Sequence, residues 1–279
     1  MDLTVNGLSL HVVDEGADQG VEKGDGSPVL LLHGFPDSSA LWRHQIPALV
    51  AAGHRVIAPD LRGFGASDRP EGVASYAIHE LVSDAVGILD ALGVERAAVV
   101  GHDWGAAVGW ALASFQPQRV SRYVALSVGH PADYFAEPRQ RELSWYMLLF
   151  QFEGAEEWMR RDDWALLRSG LRDPKDVDRY IADLDRPGAL TAALNYYRAN
   201  IRPESLAGVP GPALPPVTCP VLGVWSDGDV ACGEAQMLAS QRQVAGPWRY
   251  HRVAGAGHWI PLDAPDELAA LLVEFLGTS

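Results

Sequence analysis

A chain of 279 residues can bury a sizeable core, and 48% hydrophobic with 21% charged residues is the composition of an ordinary globular protein. The formal net charge of −14 argues against nucleic acid and anionic membrane surfaces as partners, since both need a basic face. The first residues, Met1–Gly16, carry neither a basic n-region nor an apolar h-region, and no stretch reaches the roughly 18 apolar residues of a membrane span. A cytoplasmic protein is expected.

In chain order, two short alternating segments open the sequence, Leu3–Val5 and Ser9–Val13, and the Asn6-Gly7 between them signals a hairpin turn. A polar, Gly-rich surface loop is expected over Gly16–Ser27. Val29-Leu30-Leu31-Leu32 is a continuous apolar run, which suits a parallel strand covered on both faces. It stops abruptly at His33-Gly34-Phe35-Pro36. Helix and strand then alternate: a helix over Leu41–Ala52, a strand at Val56–Ala58, a helix over Ile78–Leu92, a strand at Ala97–Val100, a helix over Ala106–Phe115 and a strand at Tyr123–Ser127. Alternation of this kind predicts an α/β fold with a mostly parallel central sheet flanked by helices.

Between Pro131 and Pro216 the alternation stops. The pattern there is helical and rich in aromatics, among them Trp145, Tyr146, Trp158, Trp164, Tyr196 and Tyr197, and it closes in a Pro-rich linker from Val209 to Pro216. Alternation resumes with a strand at Val221–Trp225, a helix over Glu234–Val244, a strand at Arg249–Val253 and a helix over Asp266–Leu276. The simplest organisation is one core domain formed by residues 1–130 and 217–279, interrupted by an all-helical cap domain at 131–216. An insertion after a strand's C-terminal end lies over the crevice where such sheets bind ligands. The two cysteines, Cys219 and Cys232, lack metal-ligand or redox spacing and are expected to be idle thiols.

Val99-Val100-Gly101-His102-Asp103-Trp104-Gly105 carries the most chemistry. An apolar strand, then Gly-x-Asp-x-Gly, then a helix is the form of a nucleophile elbow with Asp in the central place. The turn tolerates only small residues two positions either side, and Gly101 and Gly105 comply. The bland alternative is that Asp103 only caps the helix, as Asp often does. Two further signals weigh against it. His258 lies in Gly255-Ala256-Gly257-His258, just past the last strand, and Asp229 lies in Ser226-Asp227-Gly228-Asp229, just past the strand before. Nucleophile, acid, histidine is the chain order of a hydrolase triad, each member at the end of a different strand. Asp227 is a second candidate for the acid, and similarity to hydrolases that supply the acid after the strand preceding a cap implies Asp133 as a weaker third.

With these motifs in place, the chain resembles the α/β-hydrolase superfamily over nearly its whole length. The matching pieces are His33-Gly34-Phe35-Pro36, Asp60-Leu61-Arg62-Gly63-Phe64-Gly65-Ala66-Ser67, the elbow and the Gly-x-Gly-His segment. Within the superfamily an aspartate nucleophile is similar to epoxide hydrolases and to haloalkane and haloacetate dehalogenases. The resemblance to epoxide hydrolases implies two cap tyrosines that hold the epoxide oxygen. Tyr146, four residues before Phe150-Gln151, matches one; Tyr197, in Leu194-Asn195-Tyr196-Tyr197-Arg198, matches the other, with Tyr196 its rival. Phe35, where haloalkane dehalogenases usually carry Asn, points the same way.

The resemblance implies a two-step mechanism. Asp103 attacks an epoxide carbon while Tyr146 and Tyr197 donate to the departing oxygen; His258, oriented by Asp229, then activates water to hydrolyse the ester. The backbone N–H groups of Phe35 and Trp104 form the oxyanion hole. His33, Asp60, Arg62 and Ser67 are expected to be structural, and His102 to point away from the nucleophile's side chain. No metal and no cofactor is implied. The expected ligands are a small apolar epoxide and water, with a homodimer as the default association. The alternatives are a dehalogenase using the same aspartate, and a non-catalytic ligand-binding homologue that kept the fold.

Overall fold

The computed structural model describes residues 1–16, 28–170, 174–211 and 213–277. Residues 17–27, which hold nearly all of the expected Gly-rich loop, and Pro212 of the expected linker lie outside the described residues.

Eight strands form one sheet: β1 (Asp2–Val5), β2 (Leu8–Glu15), β3 (Val29–Leu32), β4 (Val56–Pro59), β5 (Ala97–His102), β6 (Val120–Leu126), β7 (Val221–Ser226) and β8 (Trp248–Val253), in the order β1-β2-β4-β3-β5-β6-β7-β8. The β1–β2 pair is an antiparallel hairpin closed at Asn6 and Gly7, whose φ angles of 51° and 80° are the left-handed values that Asn-Gly supplies at little cost. β2 joins β4 antiparallel, and every pairing from β4 to β8 is parallel.

Helices flank the core of the sheet: α1 (Gln45–Ala51), α2 (Ile78–Ala91) and α3 (Trp104–Phe115). Between β6 and β7 come α4 (Pro131–Tyr134), α5 (Pro138–Leu143), α6 (Trp145–Leu149), α7 (Ala155–Gly170), α8 (Pro174–Leu184), α9 (Ala189–Asn200) and α10 (Pro203–Leu206), with no strand among the described residues of that span. α11 (Glu234–Ala239), α12 (Ile260–Asp263) and α13 (Pro265–Gly277) complete the chain.

The apolar runs split by residue parity, as the pleat requires. Leu30, Leu32, Val99 and Tyr123 face one core together with α2, α3 and the helices between β6 and β7. Val29, Leu31, Val100 and Val124 face a second core with α1 and α13. Strands buried on both faces explain why the sequence shows continuous apolar runs and no alternation.

Three helix limits differ from expectation. The Leu41–Ala52 segment divides into a 3-10 turn at Ser39–Trp42 and α1 proper. Pro47 is the cause: its ring crowds the carbonyl four residues back, so a helix cannot run through Arg43. Glu234–Val244 likewise ends as α11 at Ala239 and continues as a 3-10 turn, Ser240–Gln243, with the Ser240 hydroxyl donating to Gln236 O at 2.9 Å. α3 begins two residues earlier than expected, at Trp104 directly after the elbow. Within the α7 span, Asp162, Asp163 and Trp164 take left-handed φ values of 51°, 53° and 59° and break the helix there.

The chain leaves β3 toward β4 on one side and returns to β5 on the other. β3 and β5 are neighbours, so the crevice at their C-terminal ends is the switch point where open α/β sheets bind ligands. The His33–Pro36 loop and Asp103 both open into it.

Candidate active site

Asp103 follows β5 with φ 52° and ψ −120°, a left-handed φ that a non-glycine residue adopts only when its surroundings compel it. The compulsion is visible in its neighbours. A Cβ on Gly101 would strike the Gly105 carbonyl, and one on Gly105 would strike the Leu32 carbonyl. The strand, elbow and helix therefore pack backbone to backbone. Asp103 sits at the helix N-cap position but its side chain makes no capping bond. The carboxylate turns instead to the crevice, where Phe35 N–H donates to its Oδ1 at 2.7 Å. Gly34 permits that approach, because a Cβ there would collide with the same carboxylate.

The other two residues of the expected triad converge from β7 and β8. His258 Nε2 lies 3.7 Å from Asp103 Oδ2, and its Nδ1 lies 2.9 Å from Asp229 Oδ2. Asp229 also accepts from the N–H groups of Ala231 and Cys232, both at 2.8 Å, so its direction is fixed before the imidazole is counted. The rival acids are occupied elsewhere. Asp227 accepts from Gly255 N–H at 2.7 Å, and Asp133 pairs with Arg242 and Gln243 at 2.7 and 2.8 Å.

The backbone of His258 is held by residues that sequence reasoning did not single out for this role. Its carbonyl accepts from His102 Nε2 at 2.9 Å, from Ser127 Oγ at 3.0 Å and from Ile260 N–H at 3.0 Å. Ser226 Oγ donates to the adjoining Gly257 carbonyl at 2.5 Å. His102 does point away from the Asp103 side chain, and the structure shows what it meets there. Its position beside the elbow was the only signal in the sequence.

The charges shift one another. Burial pushes the His258 imidazole down, but Asp229 and Asp103 outweigh it and hold the group well above its usual value. Burial pushes the Asp103 carboxyl up, yet the hydrogen bond and charge of His258 and the Trp104 N–H bring it below the ordinary range. These are two views of one ion pair and count once. Burial and the neighbouring His258 hold His102 down at about 4, so it stays neutral.

A raised imidazole stabilises the fold fully below its unfolded value of about 6.5, and that contribution is lost as pH rises through the folded value. The groups facing it are Asp229, Asp103, His102 and Cys232. The stability advantage of the wild type over His258→Gln, measured by urea midpoints, should therefore shrink as pH is raised from 6 to 10. A constant gap across that window would mean that the imidazole is not held in its charged form.

Tyr146 and Tyr197 form part of the pocket wall with Asp103 and His258. Tyr197 is almost fully buried, packs edge-on against Trp104 at 5.1 Å between ring centres, and lies 6.1 Å from Tyr146. Burial raises both hydroxyls well above 10, with the charge of Asp103 adding to the effect. Tyr196 turns the other way: its hydroxyl donates to Arg62 O at 2.7 Å.

The expected structural residues are engaged as such. His33 Nε2 accepts from Leu61 N–H at 2.9 Å, Asp60 accepts from Ser39 and Ala66 N–H at 2.8 Å, and Ser67 Oγ donates to Asp60 O at 2.6 Å. Arg62 is paired with Asp84 at 2.6 Å.

Asp103 and Tyr197 both line two cavities. One, of about 170 Å³, runs past Ala111, Phe135, Met147 and Ile201 toward the exposed Phe115. The other, of about 330 Å³, runs past Phe150, Met159 and Leu167 toward the exposed Trp145 and Val230. Among the described lining residues, the charged or titratable groups at neutral pH are Asp103 and His258. Asp229, Cys232 and His258 do bring one potential metal-ligand atom each within 4.8 Å of one another. Asp229 and His258 already satisfy each other there, and burial keeps the Cys232 thiol protonated at about 11.

Residues 27–265 match the family model described as the alpha/beta hydrolase fold. Epoxide hydrolase A of Mycobacterium tuberculosis is 35% identical over 316 aligned positions, covering 97% of this chain and 95% of that protein. The AB hydrolase superfamily protein YfhM of Bacillus subtilis is 36% identical, covering 98% of this chain and 96% of that protein. Among solved structures, the Bacillus megaterium epoxide hydrolase in complex with an inhibitor superposes with a TM-score of 0.86 at 30% identity, with all of both chains covered. Epoxide hydrolase A from Mycobacterium thermoresistibile gives 0.83 at 33% identity, covering 99% of this chain and 97% of that one. The chain belongs to the α/β-hydrolase family and, within it, to the epoxide hydrolase branch.

Proposed function

We propose that the protein hydrolyses an apolar epoxide to a vicinal diol through an ester on Asp103. The observation that carries this is Asp103 in the wall shared by two apolar cavities, with His258 Nε2 at 3.7 Å from its carboxylate and the Tyr146 and Tyr197 rings on the wall. Helices from residues 131–216 act as a cap on a core made by 1–130 and 217–279.

Asp103 Oδ2 attacks an epoxide carbon, the C–O bond breaks, and the oxygen takes a proton from Tyr146 or Tyr197. Oδ1, already facing Phe35 N–H, becomes the ester carbonyl oxygen. Forming the ester removes the Asp103 charge, and with it one of the two anions that keep His258 protonated. The imidazole therefore becomes a competent base only after the first step, once its proton has passed to the tyrosine left as phenolate. It then takes a proton from water, hydroxide adds to the ester carbon, and the N–H groups of Phe35 and Trp104 hold the oxyanion. Asp229 keeps the imidazole oriented and balances its charge. Collapse breaks the ester C–O bond, the departing alkoxide takes the proton held by His258 to give the diol, and the Asp103 carboxyl returns its proton to the imidazole.

The two unequal arms favour an uncharged internal epoxide with a larger substituent in the 330 Å³ arm and a smaller one in the 170 Å³ arm. No helix among the described residues is long and apolar enough to cross a membrane. A cytoplasmic setting is consistent with two free, buried cysteines.

The test is product formation from a panel of aryl and alkyl epoxides, terminal and internal, with chloro- and bromoalkanes alongside. Diol from internal epoxides without halide release is the expected result. Halide release without diol would overturn the proposal in favour of a dehalogenase.

A further inference from the structure

The loop that carries the Phe35 amide is held from two sides. From the core, Leu61 N–H binds His33, and Ser39 N–H binds Asp60. From above, helix α8 reaches down to Asp37, which is 1% exposed. Its carboxylate accepts from Arg179 Nη1 at 2.9 Å, from the Tyr180 hydroxyl, and from Ser38 N–H at 2.8 Å. Arg179 is itself steadied by Asp176 at 3.3 Å and by the Tyr180 ring, 4.5 Å below its guanidinium. Asp176 in turn pairs with Arg43 of the core at 2.9 Å.

An exposed ion pair would carry little weight. This one is different, because Asp37 and Tyr180 are buried and neither partner can be re-solvated cheaply if the other leaves. The grip is also close to the chemistry. Asp37 N–H donates to Gly34 O at 2.9 Å, closing a turn that contains Phe35, whose own N–H meets Asp103 Oδ1 at 2.7 Å. Arg179 Nη1 also reaches Ser38 Oγ at 3.4 Å, whereas the Phe35 ring meets Phe150 and Tyr197 through apolar contacts that fix no hydrogen-bond angle.

We infer that Asp37, gripped by Arg179 and Tyr180, is a positioning residue through which the docking of α8 aims the Phe35 amide, and that its main effect falls on hydrolysis of the Asp103 ester. The inference rests on the ester mechanism proposed above. Ring opening spreads charge away from Oδ1, whereas water attack concentrates a full negative charge on it. The Phe35 N–H therefore gains most in the second step, and a misaimed amide slows that step selectively.

Tyr180→Phe removes one hydroxyl and leaves the ion pair; Asp37→Asn weakens the whole grip. Arg186→Met is the control, since Arg186 bridges the cap to Gly65 O at 2.5 Å without touching this loop. Two readouts are needed. Hydrogen–deuterium exchange over residues 33–38 requires no substrate, and rapid quench with intact mass separates ester formation from ester hydrolysis.

Tyr180→Phe should raise exchange across the loop and slow ester hydrolysis about tenfold, the loss expected of one weakened charge-assisted hydrogen bond, with ester formation changed less than about threefold. Asp37→Asn should exceed it in both, and Arg186→Met should match the wild type. Unchanged exchange in Tyr180→Phe would overturn the inference. So would formation and hydrolysis falling by equal factors, the mark of a merely structural loss. If wild-type protein formed no ester with any epoxide, the mechanism would fall by itself, and the exchange comparison would still decide whether α8 orders the loop.

Discussion

Replacing His258 with glutamine is expected to stop turnover after the first covalent step and leave the protein heavier by the mass of one whole epoxide. The imidazole bridges Asp229 at 2.9 Å and Asp103 at 3.7 Å, and nothing in the ring-opening step needs it as a base. Glutamine keeps a polar side chain against Asp229 but cannot accept and pass on a proton. The pull of His258 on Asp103 is lost, while the Phe35 and Trp104 N–H groups stay on the carboxyl and continue to favour its ionised form against burial. Ester formation should survive, while ester hydrolysis falls by about 10⁴-fold or more, the scale seen when a triad base is removed. Intact mass after mixing with epoxide reads this directly, and peptide mapping should place the gain on Asp103. An adduct smaller than the epoxide, matching a haloalkane less its hydrogen halide, would instead make halide the leaving group. Continued diol release from the variant would remove His258 from the chemistry altogether.

The parts of this site that were legible in the sequence are those imposed by short-range sterics. Gly101 and Gly105 are glycines because the elbow brings backbone against backbone, and that requirement is local enough to leave a motif. The buried parallel strands are equally plain, since covering both faces removes the alternation that an exposed sheet would show. Chain order placed Asp229 and His258 after their strands, but it could not choose between Asp227 and Asp229, two residues apart in one loop. That choice depends on which carboxylate meets an imidazole 29 residues away, and here Asp229 does. Tyr196 and Tyr197 posed the same problem on a helix: neighbours there point about 100° apart, and only packing phases them. Tyr196 goes to Arg62 O and Tyr197 to the pocket. Least legible were the contacts that join distant segments, such as Ser127 to the His258 carbonyl across 131 residues or Tyr180 to Asp37 across 143. Ser, Tyr and Asp are common residues, and no local pattern announces a partner so far along the chain.

The double change Tyr146→Phe with Tyr197→Phe is expected to remove most ring-opening activity while leaving the fold intact. An alkoxide has a conjugate acid near the acidity of water, so its departure into an apolar pocket is the costly part of the first step. Both phenols are pushed well above 10 by burial and by the charge of Asp103, which keeps them neutral donors through the working pH range. Each hydrogen bond to developing charge is worth about 1.5–3 kcal/mol, or roughly 10- to 150-fold in rate. Single variants should therefore lose about one to two orders of magnitude in kcat/KM, and the double variant at least the product, about 10²- to 10⁴-fold. The product of the singles is a lower bound, because either tyrosine alone can still supply the proton. Stability should change modestly, since Phe preserves the ring contacts with Phe150 and Trp104 and gives up the hydrogen bond between the Tyr197 hydroxyl and the Trp104 side chain. Tyr196→Phe is the contrasting control: it strands the Arg62 carbonyl, so it should cost about 1–3 kcal/mol of stability and comparatively little rate. The decisive quantity is the single-turnover rate of ester formation in His258→Gln carrying the two changes. If that rate stayed within threefold of the parent, the oxygen would have another donor and the tyrosines would be wall residues only. If it fell by 10³ while the urea midpoint held, the two phenols would be the acid side of the reaction, facing Asp103 across the bond that breaks.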